Sequence, residues 1–282
     1  MITGSITAVF TQPDKPKNRG MKLTMSPVKV LALEHGTAVY QPATLKDGEA
    51  LKILKELSPD VIAVVAYGKI LPKEILELPV LGCINIHGSL LPKYRGSAPI
   101  QWTVLNGDAT AGVTAMYMGE GLDSGDMIAK REVEVLQEET AGELFDRLAP
   151  IGGELLRDTL ISVMEGSAKR EIQCEEDVTF APPLTKDMCP IDWNCTSDEV
   201  INKIRGLNPW PVATTVINDT NFKVFKAVKV MGKGECGKIL AADKNGITVA
   251  TADGAVCITE LQAAGGKRMK AADYLRGHPI CL

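Results

Sequence analysis

The chain is 282 residues long, 45% hydrophobic and 23% charged, with a formal net charge of −4 at pH 7. This composition leaves room for one large or two ordinary globular domains and excludes disordered, fibrous and disulfide-scaffold chains. Its longest apolar run, 61–67, is far below the roughly 18 residues of a membrane span, and residues 1–10 carry no leader pattern, so a cytoplasmic protein is expected.

Residues 6–11 (ITAVFT) read as a buried strand, followed by a basic loop, TQPDKPKNRGMKLTMS. Ser26 is a good N-cap and Pro27 a good first residue for the helix PVKVLALEH, which Gly36 closes. A short strand at 37–40, an amphipathic helix over 47–57 and the apolar strand DVIAVVA at 60–66 come next. A short helix at 72–78 leads into LGCINIHGSLLPKYRG, which begins as a strand. Ser97 is expected to cap the helix PIQWTVLNG, and GVTAMYM at 112–118 is a further strand. The loop GEGLDSGD holds Asp123 at its apex. A strand over 127–135 precedes a long helix opened by the capping box Thr140 and Glu143, in which Gly152-Gly153 offer a place to bend. Strands alternating with short helices predict βαβ units, an α/β Rossmann-like domain with a parallel-type sheet.

Residues 166–183 are polar and end in Pro182-Pro183, the composition of a linker. Beyond them, a helix at 197–207 and short β-rich runs at 222–230, 239–240, 246–250 and 255–261 predict a smaller C-terminal OB-like β-barrel. Trp210, between two prolines, is expected to pack in that domain's core. The predicted organisation is thus a catalytic domain over 1–165, a linker over 166–183 and a barrel over 184–282.

Charge is unevenly divided. Residues 1–181 hold 25 acidic against 18 basic side chains, and residues 182–282 hold 10 against 13, so the second part is the basic one. Lys15, Lys17, Arg19 and Lys22 face only Asp14 in the early loop, a local excess suited to an anion or a phosphate backbone. The seven cysteines form no C-x-x-C pair, and the three histidines have no ligand spacing, which argues against a disulfide framework and a metal site.

The chemistry concentrates at Asn85 and His87. In a strand, alternate side chains share a face, so these two point the same way and Ile84 and Ile86 the other. They end the strand where open parallel sheets place their ligand crevices. An amide donor beside an imidazole suits acyl or formyl transfer, one group stabilising an oxyanion while another moves a proton. Asp123 supplies the carboxylate that would orient the imidazole.

With these residues in view, INIHGSLLPKYRGSAPIQW, GVTAMYMGEGLDSGDM, the TQPDKPKNRG loop and NPWP together resemble the formyltransferases that use 10-formyltetrahydrofolate, and specifically their tRNA-dependent branch. The resemblance covers nearly the whole chain. It implies a Rossmann-like catalytic domain, a linker and a C-terminal barrel that helps hold tRNA. The implied reaction carries the formyl group of 10-formyltetrahydrofolate to the amino group of initiator methionyl-tRNA, with no metal and no obligate protein partner. It also implies that Asn85, His87 and Asp123 are catalytic, that Ser89, Leu90, Leu91 and Pro92 contact the folate, and that Lys15, Lys17, Arg19 and Lys22 meet the tRNA acceptor end. Whether His87 acts as general base or as oxyanion donor stays open on sequence alone.

Two alternatives remain at this level: the same trio serving another acceptor, an amino-sugar nucleotide or water, and an inactive RNA-binding remnant. The family pattern opens with a strand, a Gly-Thr-Pro turn and a helix ahead of the TQPD loop, none of which this chain contains. From that difference the resemblance predicts that these 282 residues by themselves are poorly stable or weakly active.

Overall fold

The computed structural model describes residues 4–17 and 22–280, with only the backbone described at Lys17 and Lys22. Two compact units emerge, one from Met1–His87, Val113–Arg131 and Gly152–Glu176, the other from Gly88–Gly112, Glu132–Ile151 and Asp177–Leu282.

Strand β1 (Ala8–Phe10) leads into a short antiparallel hairpin, β2 (Lys15–Lys17) against β3 (Lys22–Thr24), in what reads from sequence as loop. Helix α1 (Pro27–Glu34) starts as predicted, with the Ser26 hydroxyl accepting the Lys29 N–H at 3.2 Å. β4 (Ala38–Tyr40) then pairs in parallel with β1. Helix α2 (Glu49–Leu57) buries Ala50 and Leu54, spaced one turn apart. β5 (Ile62–Val65), helix α3 (Lys73–Leu76) and β6 (Cys83–His87) follow. Cys83 joins Leu45, Ala50, Leu54, Leu71 and Ile75 in one core cluster, so the face of β6 that begins with Cys83 is covered by helices at its start.

A two-residue strand, β7 (Arg95–Gly96), precedes helix α4 (Pro99–Leu105). Here Ala98, not Ser97, occupies the N-cap, and no side chain caps the helix. Pro99 sets the first turn without one, because its missing N–H would have no intrahelical partner anyway. β8 (Thr110–Tyr117) and β9 (Met127–Glu134) complete a sheet of order β5-β6-β8-β9. β6 lies parallel to β5 and antiparallel to β8, so the sheet is mixed rather than wholly parallel. Helix α5 (Ala141–Met164) runs through Gly152-Gly153 as one 24-residue element. Its Thr140/Glu143 box is formed, each backbone N–H accepted by the other residue's side chain at 2.9 and 3.2 Å. Gly152 lets α5 come close to β6, since a methyl there would sit 3.3 Å from Ile86.

The expected linker is structured in part. Glu171 bridges to Met127, a one-turn 3-10 helix occupies Glu175–Asp177, and β10 (Phe180–Ala181) pairs in parallel with β7.

Helix α6 (Ser197–Gly206) carries a second capping box, Thr196 with Glu199. After it come β11 (Ala213–Ile217), β12 (Thr220–Val230), β13 (Ile239–Asp243), β14 (Gly246–Ala250), β15 (Ala255–Ala263) and β16 (Met269–Lys270), then helix α7 (Ala271–Gly277). The antiparallel sheet has order β11-β12-β15-β14-β13 with β16 on β15, and among the described residues no ladder joins β11 to β13 to close it. Val200, Ile204 and Leu207 of the α6 region pack with Val224, Ile247, Val256, Ile258 and Leu261 in its core. Trp210 is not part of that core. It is 60% exposed, contrary to expectation, because the turn at NPWP projects it outward while Leu207 and Val212 on either side are buried.

Candidate active site

β6 places Asn85 and His87 on one face, roughly 6.6 Å apart along the strand. Asn85 is half-buried and stands between Val64 of β5 and Met116 of β8, while His87 is 5% exposed and lies opposite Thr114. Ile84 and Ile86 turn to the other face, as the alternation requires, and Ile84 is fully buried. The strand is held on both sides by backbone pairing, so the two polar side chains sit on a rigid support rather than on a loop.

Asp123 comes from the glycine-rich loop between β8 and β9. Its backbone is left-handed, with φ of 46°, a conformation that Asp tolerates better than most residues. The loop returns on itself tightly: the Tyr117 N–H donates to the Asp126 carbonyl at 2.9 Å. A side chain at Gly125 would collide with the Tyr117 carbonyl oxygen. The outcome is an Asp123 Oδ2 that lies 3.6 Å from His87 Nδ1, with the two side chains only 18% and 6% exposed. Three residues singled out from sequence therefore come together as an amide, an imidazole and a carboxylate.

The SLLP segment follows His87 directly in the chain and forms a turn. The Ser89 hydroxyl donates to the Lys93 carbonyl at 2.6 Å, and the Lys93 N–H donates back to Leu90 at 3.2 Å. Ser89 and Leu91 are each 1% exposed, whereas Leu90 and Pro92 are half-buried. Tyr94 fixes the turn's exit, its N–H on the Thr179 hydroxyl and its own hydroxyl on Asp108 at 2.7 Å. Burial, more than the Asp108 contact, pushes the Tyr94 phenol up to about 12.

In the basic loop, Lys15 is exposed on the hairpin, Lys17 and Lys22 pair through their backbones, and Arg19 lies outside the described residues. Asp14, the one acid there, is taken up by Lys29, whose ammonium lies 2.7 Å away, and by Gln41 at 2.8 Å. Those two hydrogen bonds, Lys29's first, hold the Asp14 carboxyl below its usual range. The one acid of the loop is thus committed to a helix lysine that lies outside the loop.

Gln173, Arg170 and Glu171, all in the segment read as linker, surround the Asp123 loop and were not legible as site residues. No local pattern marks a glutamine that bonds a loop 50 residues earlier. Among the described residues no cluster of His, Cys, Asp and Glu is arranged to hold a metal.

The model of the "Formyl transferase" family matches residues 1–160, and that of the "Formyl transferase, C-terminal domain" matches residues 183–279. The chain belongs to the formyl transferase family. Within it, the chain is 50% identical over 277 residues to the methionyl-tRNA formyltransferase of Clostridioides difficile strain 630, covering 98% of this chain and 90% of that one. It is 49% identical over 280 residues to the methionyl-tRNA formyltransferase of Ruminiclostridium cellulolyticum, with the same two coverages, 98% and 90%. Among solved structures, Aquifex aeolicus HypX in complex with tetrahydrofolic acid aligns with a TM-score of 0.67 at 18% identity, over 98% of this chain and 48% of that one. This formyl transferase therefore spans about half of HypX. The N-formyltransferase from Helicobacter canadensis, in complex with folinic acid and dTDP-3-aminofucose, aligns at 0.65 and 17% identity over 92% and 87% of the two chains. Those structural likenesses establish the formyl transferase fold.

Proposed function

We propose that this formyl transferase moves the formyl group of 10-formyltetrahydrofolate to the amino group of methionine on initiator tRNA, the step that prepares methionyl-tRNA for translation initiation. The observation that carries the reading is the convergence of Asn85, His87 and Asp123 at the end of β6, in a chain about 50% identical to relatives named methionyl-tRNA formyltransferase.

The reaction forms a bond from the methionine nitrogen to the formyl carbon and breaks the bond from that carbon to N10 of the folate. The amine loses a proton, N10 gains one, and negative charge passes through the formyl oxygen. The Asn85 amide donates to that oxygen, a contribution of about 10² to 10³ in rate for one such donor. Nδ1 of the imidazole is turned toward the Asp123 carboxylate. His87 takes the amine proton and hands it to N10 as the folate leaves, so the proton count balances within one residue. Asp123 holds the ring in the orientation and tautomer this requires.

Leu90 and Pro92, the half-buried members of the SLLP turn, are the side chains that would meet the folate, while Ser89 and Leu91 would keep the turn's shape. Lys15, Lys17, Arg19 and Lys22 would meet the phosphates of the acceptor end. Residues 1–165 carry the chemistry in this reading, 184–282 help hold the tRNA, and 166–183 join them.

The test is a coupled assay with methionyl-tRNA and 10-formyltetrahydrofolate, in which formyl-methionyl-tRNA and tetrahydrofolate appear in equal amounts. Donor consumption without formylated tRNA, or transfer to an amino-sugar nucleotide instead, would replace this reading.

A further inference from the structure

The loop that presents Asp123 is not self-supporting. Its glycines lack side chains to pack, and Asp123 itself adopts a left-handed backbone with φ of 46°. Yet two of its carbonyl oxygens have a buried partner: the side-chain amide of Gln173 donates to the Asp123 carbonyl at 2.7 Å and to the Gly125 carbonyl at 2.8 Å. Gln173 is 4% exposed, so the donor of both bonds is held by the surrounding protein rather than by solvent. One NH₂ group therefore spans the carbonyl of Asp123 and the carbonyl two residues on, which sets the direction in which the Asp123 side chain leaves the backbone.

The segment that delivers Gln173 is itself anchored. Glu171 and Met127 exchange backbone hydrogen bonds at 2.8 and 2.9 Å. The Arg170 guanidinium lies 3.7 Å from the centre of the Tyr117 ring and 3.5 Å from Asp126. Tyr117 and Asp126 are the residues that close the neck of the loop, so the strap grips the neck and Gln173 reaches its apex.

From this geometry we infer that Gln173 is a positioning residue for catalysis, acting through Asp123 by holding the loop that aims the carboxylate at His87. The inference rests on the role proposed above for Asp123. A displacement of about 1 Å at a reacting group is enough to slow a reaction ~100-fold, so loss of the two bonds acts on turnover rather than on substrate capture.

Gln173→Leu keeps the buried volume and removes both donors. The expected result is a kcat lowered between about 10- and 100-fold with KM for both substrates within about threefold of wild type. Combined with Asp123→Asn, the loss should be no greater than that of Asp123→Asn alone, because both changes disable the same group. Hydrogen exchange over 119–126 should quicken in Gln173→Leu while exchange in the C-terminal sheet is unchanged. Should the leucine variant fail to fold, Gln173→Asn, which withdraws the amide by one methylene, should give a smaller loss of the same kind. Wild-type kcat with unchanged exchange over 119–126, or losses that multiply in the double variant, would overturn the inference. Exchange is read without substrate, so a wild-type chain that formylates no tRNA would count against the functional reading alone.

Discussion

His87 Nδ1 lies 3.6 Å from Asp123 Oδ2, although the two residues are 36 positions apart in the chain. The histidine is fixed by the end of a sheet strand and the aspartate by a folded-back glycine loop, so their meeting depends on both elements keeping their register. Asp123→Asn preserves the shape and removes the charge. Its kcat is expected to fall about 10² to 10⁴-fold, and that of Asn85→Ala about 10² to 10³-fold, with tRNA affinity within a few-fold in both. Steady-state kinetics paired with a binding measurement checks this; a weakened tRNA complex with unchanged turnover would reassign both residues.

The Gly125→Ala change acts on the loop by volume alone. The new methyl would occupy the position of the Tyr117 carbonyl oxygen, a backbone atom that cannot swing aside. The loop must therefore open and carry Asp123 with it. Activity is expected to drop by at least ~10-fold, together with a lower melting temperature. A fully active, equally stable variant would show that the neck of the loop is less tight than described.

Glu139 connects stability to pH. It is 7% exposed and accepts from Arg147 at 2.8 and 2.7 Å and from the Leu136 N–H at 3.1 Å. Burial alone would raise its carboxyl, but the Arg147 and Leu136 bonds outweigh that and hold it below its usual value of 4.5. A carboxylate depressed in the folded state stabilises above its unfolded pKa, and the contribution fades as pH falls through the folded one. Glu139→Gln should therefore lower stability by about 2 kcal/mol at pH 7. Below about pH 4 the gap between variant and wild type should shrink. Parallel denaturation curves at the two pH values measure it, and a gap that widens in acid would contradict the assignment.

Thiol reactivity should sort the cysteines by position. Cys174 is exposed, while Cys83, Cys189 and Cys257 are buried, and burial pushes the Cys83 thiol up to about 11. At pH 8 an alkylating reagent should label Cys174 within minutes and leave Cys83 unmodified until the protein is denatured. Peptide mapping of the labelled sites decides the point.

The sequence was most readable where chemistry and periodicity coincide. Alternation alone orders Asn85, His87, Ile84 and Ile86 into their observed faces, and Ser26, Thr140 and Glu143 mark helix starts because capping is a local interaction. Asp123 was found through its motif, but what holds it in place was not. Gln173 contacts the backbone of residues 123 and 125, and backbone contacts leave no complementary residue type to notice. Ser97 looked like a cap by identity alone, whereas Pro99 made a cap unnecessary. Its place between two prolines makes Trp210 read as a core residue, and the turn geometry that decides its direction belongs to the tertiary fold. The strands β2, β3 and β11 escaped for a related reason: each is defined by its partner, and short segments carry too few residues to show a period.

Formyl transfer to the initiator species is tested most directly by presenting the enzyme with 10-formyltetrahydrofolate and methionine-charged initiator or elongator tRNA in parallel. Formyl-methionyl-tRNA should accumulate on the initiator and form far more slowly on the elongator, with Asn85→Ala reducing both. Equal use of the two, or tetrahydrofolate released with neither formylated, would contradict it.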